Sequence, residues 1–238
     1  MQYAHPVVTG SLGRRALMEG IGTFALVFAG CGAIVANASH HDVLGAVGVS
    51  LTFGLVIMAM IYAGGHLSGG HFNPSVTVAF TLGRHFPIRD AVAYVAAQFA
   101  GAIAAAALLL AAWKSEPAHL GATLPTVGTG TAFGYEVVMT AFLMLVITAV
   151  ATDTRAVGAA AAIAIGGTVA LDALFGGPIT GASMNPARSF GPALVTGTWT
   201  DIWIYIAGPL VGSCLGVFAY ETVRGTIPAG QAGSVGDG

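Results

Sequence analysis

The chain has 238 residues, of which 55% are hydrophobic and 8% charged, with a mean hydropathy of +0.82 and a formal net charge of −2. So few charges leave too little polar surface for a soluble particle of this size, which excludes a water-soluble globular protein and calls for a lipid bilayer as partner. Two cysteines, Cys31 and Cys214, fall inside apolar stretches and read as free buried thiols rather than a disulfide framework.

In chain order, residues 1–13 have no apolar core and read as a retained cytoplasmic segment rather than a cleavable signal. An apolar stretch over 16–37 follows, carrying Glu19, Thr23 and Phe24, and a second over 43–63. Each meets the requirement of about 20 residues for a spanning helix. Residues 64–72 are rich in glycine and predict irregular backbone, leading to Asn73-Pro74-Ser75 and a short apolar segment that ends near 83. As a helix that segment is roughly 16 Å long, about half of a hydrocarbon core of about 30 Å. The third span covers 88–112, the fourth 131–151 with Glu136, Thr140 and Phe142, and the fifth 156–175. A second glycine-rich approach over 176–184 leads to Asn185-Pro186-Ala187 and a short segment ending near 194. The sixth span covers 201–223, and the glycine-rich tail 225–238 reads as disordered and cytoplasmic.

The two Asn-Pro boxes lie 112 positions apart, and Glu19 with Glu136, and Tyr94 and Gly101 with Tyr205 and Gly212, repeat at similar offsets. One channel domain over 14–224 thus consists of two repeats, about 14–113 and 131–224, joined by an extracellular loop. Three spans per repeat is an odd number, so the second repeat enters from the opposite side. The fold predicted is an all-α integral membrane protein with six transmembrane helices and two re-entrant half-helices in an inverted repeat. Arg14, Arg15, Arg84, Arg89, Arg155 and Arg224 fall on one side and Lys114 on the other, which places both termini in the cytoplasm.

The boxes have a local physical reason. Asn is a strong N-cap, and Pro at the first helical position has no N–H to leave unsatisfied. With its oxygen used in capping, each amide leaves an NH2 to face a lumen, and two such donors orient a passing water so that a proton wire is broken. The two helix N-termini add positive potential that opposes cations and protons while neutral solutes feel little of it. Irregular backbone at membrane depth is tolerable where it lines a wet cavity, so the carbonyls of Gly70, His71, Phe72, Ala182, Ser183 and Met184 are expected to form pore wall. Glu19 and Glu136, intramembrane carboxylates at matching positions, are expected to accept hydrogen bonds from those approaches. His66 and His71 flank the first approach without a cysteine or carboxylate nearby, so they read as vestibule residues rather than a metal site. Asp172 has no partner legible in the sequence; capping a loop and lending polarity to the mouth are both open. No catalytic triad, metal cluster or phosphate-binding loop appears, so neither an enzyme nor a cofactor is expected.

The paired boxes, with Ser-Gly-Gly-His before the first and Ala-Arg-Ser after the second, make the chain from about 15 to 224 resemble the aquaporin family, and its surrounding words are most similar to the nodulin-like branch. The resemblance implies a right-handed bundle of six tilted helices, one pore per chain, and a homotetramer. It departs at Ser75, where most members carry alanine. Counting from the boxes, it places a selectivity ring at Phe53, Ala173, Ala182 and Arg188, with alanine at 173 where strict water channels carry histidine. Ser189 stands where glycerol facilitators carry aspartate. The function implied is a passive channel for water and small uncharged solutes such as glycerol and metalloid acids. The alternatives are a strict water channel and, from other classes, a proton-coupled transporter using Glu19 and Glu136 or a non-conducting structural membrane protein. Short loops and an alanine-rich bundle suggest a bacterial inner membrane.

Overall fold

The computed structural model describes residues 10–153, 155–156 and 160–225, so most of the segment 1–13 and of the tail 225–238 lies outside the described residues. Among the described residues eight α-helices follow one another: α1 (Leu12–Ser39), α2 (Gly45–Ser68), α3 (Pro74–Leu82), α4 (Ile88–Ala112), α5 (Thr129–Thr152), α6 (Ala161–Thr180), α7 (Pro186–Thr196) and α8 (Ile204–Arg224). Six of them are long and apolar enough to cross a membrane, and α3 and α7 are the short pair.

Helix α1 packs on α4 and α5 on α8, while α2 and α6 cross each other between the halves. The crossing places Gly54 against Gly166, and a Cβ on either would come within 2.4 to 2.5 Å of the other's carbonyl oxygen. Only glycine lets the two backbones approach this closely, and the pair relates the halves to each other. Side chains pointing away from the bundle, such as Leu17, Phe142, Leu171 and Phe218, are apolar and exposed, as lipid contact requires.

One correction concerns the glycine-rich approaches. Residues 64–68 and 176–180 continue α2 and α6 instead of forming irregular backbone. The helices stop only at Gly69 and Gly181, each a left-handed C-cap with φ of 93° and 86°, where a residue with a Cβ would be strained. The approaches are therefore four residues each, 69–72 and 181–184. Arginines at the predicted cytoplasmic side meet partners at one end of the bundle: Arg15 pairs with Asp90, Arg155 with Asp153, and Arg224 with Glu221.

Candidate functional site

Both approaches follow the same backbone plan. Gly69, Gly70 and Phe72 in the first, and Gly181, Ala182 and Met184 in the second, have positive φ. For Phe72, Ala182 and Met184 this costs about 1–2 kcal/mol each and persists only where the surroundings enforce it. The enforcing groups are two buried carboxylates. Glu19 accepts from Ser68 Oγ (2.7 Å), the backbone N–H of His71 (3.0 Å) and of Phe72 (2.6 Å), and Gln98 Nε2 (2.8 Å). Glu136 accepts from Thr180 Oγ1 (2.7 Å) and the N–H of Ser183 and Met184 (both 2.9 Å). In a trans peptide the carbonyl points opposite to the following N–H. The carbonyls of Gly70, His71, Ala182 and Ser183 are thus turned away from the carboxylates, toward the lumen that these residues line. Tyr94 and Tyr205 complete the parallel by donating to the carbonyls of Ser68 (2.7 Å) and Thr180 (2.6 Å).

At the centre the half-helices meet tip to tip. Asn73 Oδ1 caps α3 through Ser75 N (2.9 Å), and Asn185 Oδ1 caps α7 through Ala187 N (3.1 Å) and Arg188 N (3.3 Å). Pro74 and Pro186 occupy the first helical positions. Each amide nitrogen also reaches across: Asn73 Nδ2 donates to the Met184 carbonyl (2.8 Å) and Asn185 Nδ2 to the Phe72 carbonyl (2.9 Å). The expectation of a wholly free NH2 is therefore corrected. One N–H of each amide braces the opposite approach, leaving the other for the lumen, and the Phe72 and Met184 carbonyls are acceptors of these braces. Ser75 Oγ lies 2.8 Å from Asn73 Oδ1 and 3.3 Å from the Met184 carbonyl, on the same tip contact, where the second box has only the methyl of Ala187.

The lumen between these elements has a volume of about 70 Å³. At about 10–15 Å³ per water it holds a short single file. Carbonyls and amides line it together with the apolar side chains of Leu26, Ile57, Val76, Leu143 and Val169. The lumen opens past Phe53, Ala173, Ala182 and Arg188, which the fold brings together, into a vestibule of about 390 Å³. Arg188 is 2% exposed; its Cζ lies 5.1 Å from the Phe53 ring centre and Nη1 donates to the Gly121 carbonyl (2.7 Å), while Nε has no partner among the described residues.

His71 lines the first half of the lumen, with Nδ1 3.0 Å from Thr77 Oγ1 and its ring against Phe80, Phe86 and Tyr94. His66 does not join it: the helix runs on through Ser68, so His66 stays on the exposed last turn of α2. Asp172 neither caps a loop nor lines the vestibule. It is 1% exposed on the face of α6 that carries Gly176 and Thr180 toward α5, and its Oδ2 has no partner among the described residues. Two contributions escaped the sequence reading: the carbonyl of Gly121, and the hydroxyls of Thr123, Ser183 and Ser189, which lie in contact behind the second approach. Adjacent hydroxyls at 183 and 189 on either side of a box were a visible signal; Thr123 lies in no motif.

With this geometry in place, the model of the major intrinsic protein family matches residues 7–220. The chain is 44% identical over 222 residues to aquaporin NIP1-3 of Oryza sativa subsp. japonica, covering 93% of this chain and 78% of that protein. It is 46% identical over 213 residues to nodulin-26 of Glycine max, covering 90% and 76%. Among solved structures it is similar in fold to the aquaglyceroporin from Plasmodium falciparum, with a TM-score of 0.71 at 23% identity, over 90% of this chain and 96% of that one.

Proposed function

The chain belongs to the major intrinsic protein family, and we propose on that premise that it is a channel, not an enzyme, through which water and small uncharged solutes such as glycerol cross a membrane passively. The observation that carries this reading is the lumen at two braced Asn-Pro tips, lined by carbonyls and amides together with apolar side chains. Carbonyls replace part of the hydration of a neutral hydroxylic solute, while two helix N-termini and Arg188 oppose cations and protons.

The six apolar helices make it an integral membrane protein. The relatives named above are plant proteins, so the expectation of a bacterial inner membrane finds no support among them and is dropped. The clustering of arginines at one end supports an orientation with both termini cytoplasmic. Four copies, each with its own pore, are the assembly we propose, and residues 14–224 form its one channel domain. Phe53, Ala173, Ala182 and Arg188 act as the selectivity ring, and its two alanines leave room for solutes wider than water, metalloid acids included. A strict water channel is the second reading, favoured by the close packing of Arg188 over Phe53. Stopped-flow light scattering on proteoliposomes separates the two. Fast shrinkage under a sucrose gradient together with fast swelling under a glycerol gradient supports the wider pore, and water flux alone supports the second reading.

A further inference from the structure

Behind the wall of the second approach lies a chain of three buried hydroxyls. Ser183 Oγ donates to the Asn185 carbonyl (2.9 Å), a group that can only accept. The Ser183 and Ser189 hydroxyls are in hydrogen-bond contact, and the Ser189 oxygen receives from Thr123 Oγ1 (2.8 Å). The chain thus links Thr123 through Ser189 and Ser183 to the second box, and all three residues are at most 4% exposed.

Thr123 belongs to the segment that bridges the two repeats, and that segment is strapped across the outer mouth. Two residues before it the Gly121 carbonyl holds Arg188 Nη1, and three residues after it Thr126 bonds the carbonyls of Pro178 (2.9 Å) and Ile179 (3.1 Å). Thr123 itself packs against Gly181, where a Cβ would stand 3.2 Å from its methyl. Just upstream, Ala118, His119 and Leu120 are held at φ of 49°, 47° and 51°, a conformation that persists only under external restraint. The bond to Gly121 is the one that the Arg188 guanidinium makes to the protein among the described residues. Two residues of chain reach at most about 7 Å, so a shift of Thr123 is passed directly to that carbonyl.

Resting on the channel reading above, we propose that Thr123 is a specificity-determining positioning residue. Its hydroxyl registers the strap on α7 through Ser189, fixes the Gly121 carbonyl, and so holds Arg188 across from Phe53 at the width that discriminates polyols from water. Thr123 touches no solute; it acts through Arg188.

The test compares glycerol and water permeability in proteoliposomes for the wild type, Thr123→Val, Ser189→Ala, the double variant and Thr123→Ser, with Thr168→Val as control because that hydroxyl bonds its own helix at Ala164. Expected is a severalfold rise in the glycerol-to-water ratio in Thr123→Val and in Ser189→Ala, no further rise in the double variant, and restoration by Thr123→Ser. The proposal is overturned if the wild type conducts and the ratio is unmoved by Thr123→Val, or if water and glycerol fall in proportion, the mark of a merely structural role. A wild type no faster than empty vesicles overturns the channel reading itself, and the proposal with it.

Discussion

Glu19 in the first half gathers four donors, whereas Glu136 in the second gathers three, because Pro209 stands where the first half has Gln98. The second half also buries Asp172 where the first has Met60, and carries Arg188 where the first lines the lumen with Val76. The outer strap, with Gly121 and Thr123, reaches the second box alone. What the halves share is the equipment that fixes backbone: a carboxylate, a tyrosine, a hydroxyl cap, a left-handed glycine and an Asn-Pro tip. Of what they do not share, Arg188 faces the lumen and the strap holds it, while Asp172 and the exchange of Gln98 for Pro209 lie in the packing behind. On the channel reading proposed above, conduction rests on the repeated parts, and selection on Arg188 and its strap, where symmetry fails.

The largest expected effects test the shared frame. A buried donor stranded by loss of its acceptor costs about 1–3 kcal/mol. Glu19→Ala strands four and Glu136→Ala three, so both variants should lose conduction, and Glu19→Ala should show the lower melting temperature in detergent. A larger drop for Glu136→Ala would break the comparison. Next comes the ring: Ala173→His narrows it and adds a donor, and should cut glycerol permeability by roughly tenfold, a barrier change of about 1.4 kcal/mol, while sparing water. Equal loss of both solutes in stopped-flow traces would remove Ala173 from the ring. Asp172→Met gives the second half the residue of the first, and by relieving a buried, unpartnered carboxyl it should raise stability by about 1–3 kcal/mol. An unchanged or lower melting temperature would mean that Asp172 is satisfied.

The smallest effect contrasts the two ends of the molecule. Asp153 at the end of α5 is held well below the usual carboxylate range, chiefly by the guanidinium of Arg155 and also by the hydroxyl of Tyr220. A depressed folded-state value contributes stability above the unfolded value of about 3.9 and loses it as pH falls through the folded one. The gap in melting temperature between wild type and Asp153→Asn should stay constant from about pH 5 to 8 and close below about pH 4. The strap hydroxyls do not titrate, so the gap for Thr123→Val should be flat over the same range.

How legible this was depended on whether the cause was local. The span 88–112 matches α4 in the structure, since apolar length and a proline boundary are sequence properties. Both boxes could be read because capping by Asn and Pro involves neighbouring residues. The approaches are shorter than the glycine-rich runs that contain them, because glycine density is a weaker stop signal than the single left-handed cap that ends each helix. The cross-bracing of Asn73 and Asn185 links residues more than 100 positions apart, and Thr123 meets Ser189 across 66 positions with no motif around it. Such contacts appear only once the fold has placed them.

In the function proposed above, two braced Asn-Pro tips pass neutral molecules singly while interrupting proton transfer. Water efflux and internal pH should be followed together in proteoliposomes carrying an entrapped pH dye, with an osmotic and a proton gradient imposed at once. Rapid shrinkage is expected with a dye signal no faster than in empty vesicles; a proton flux that rises with protein content would overturn the role given to the paired tips.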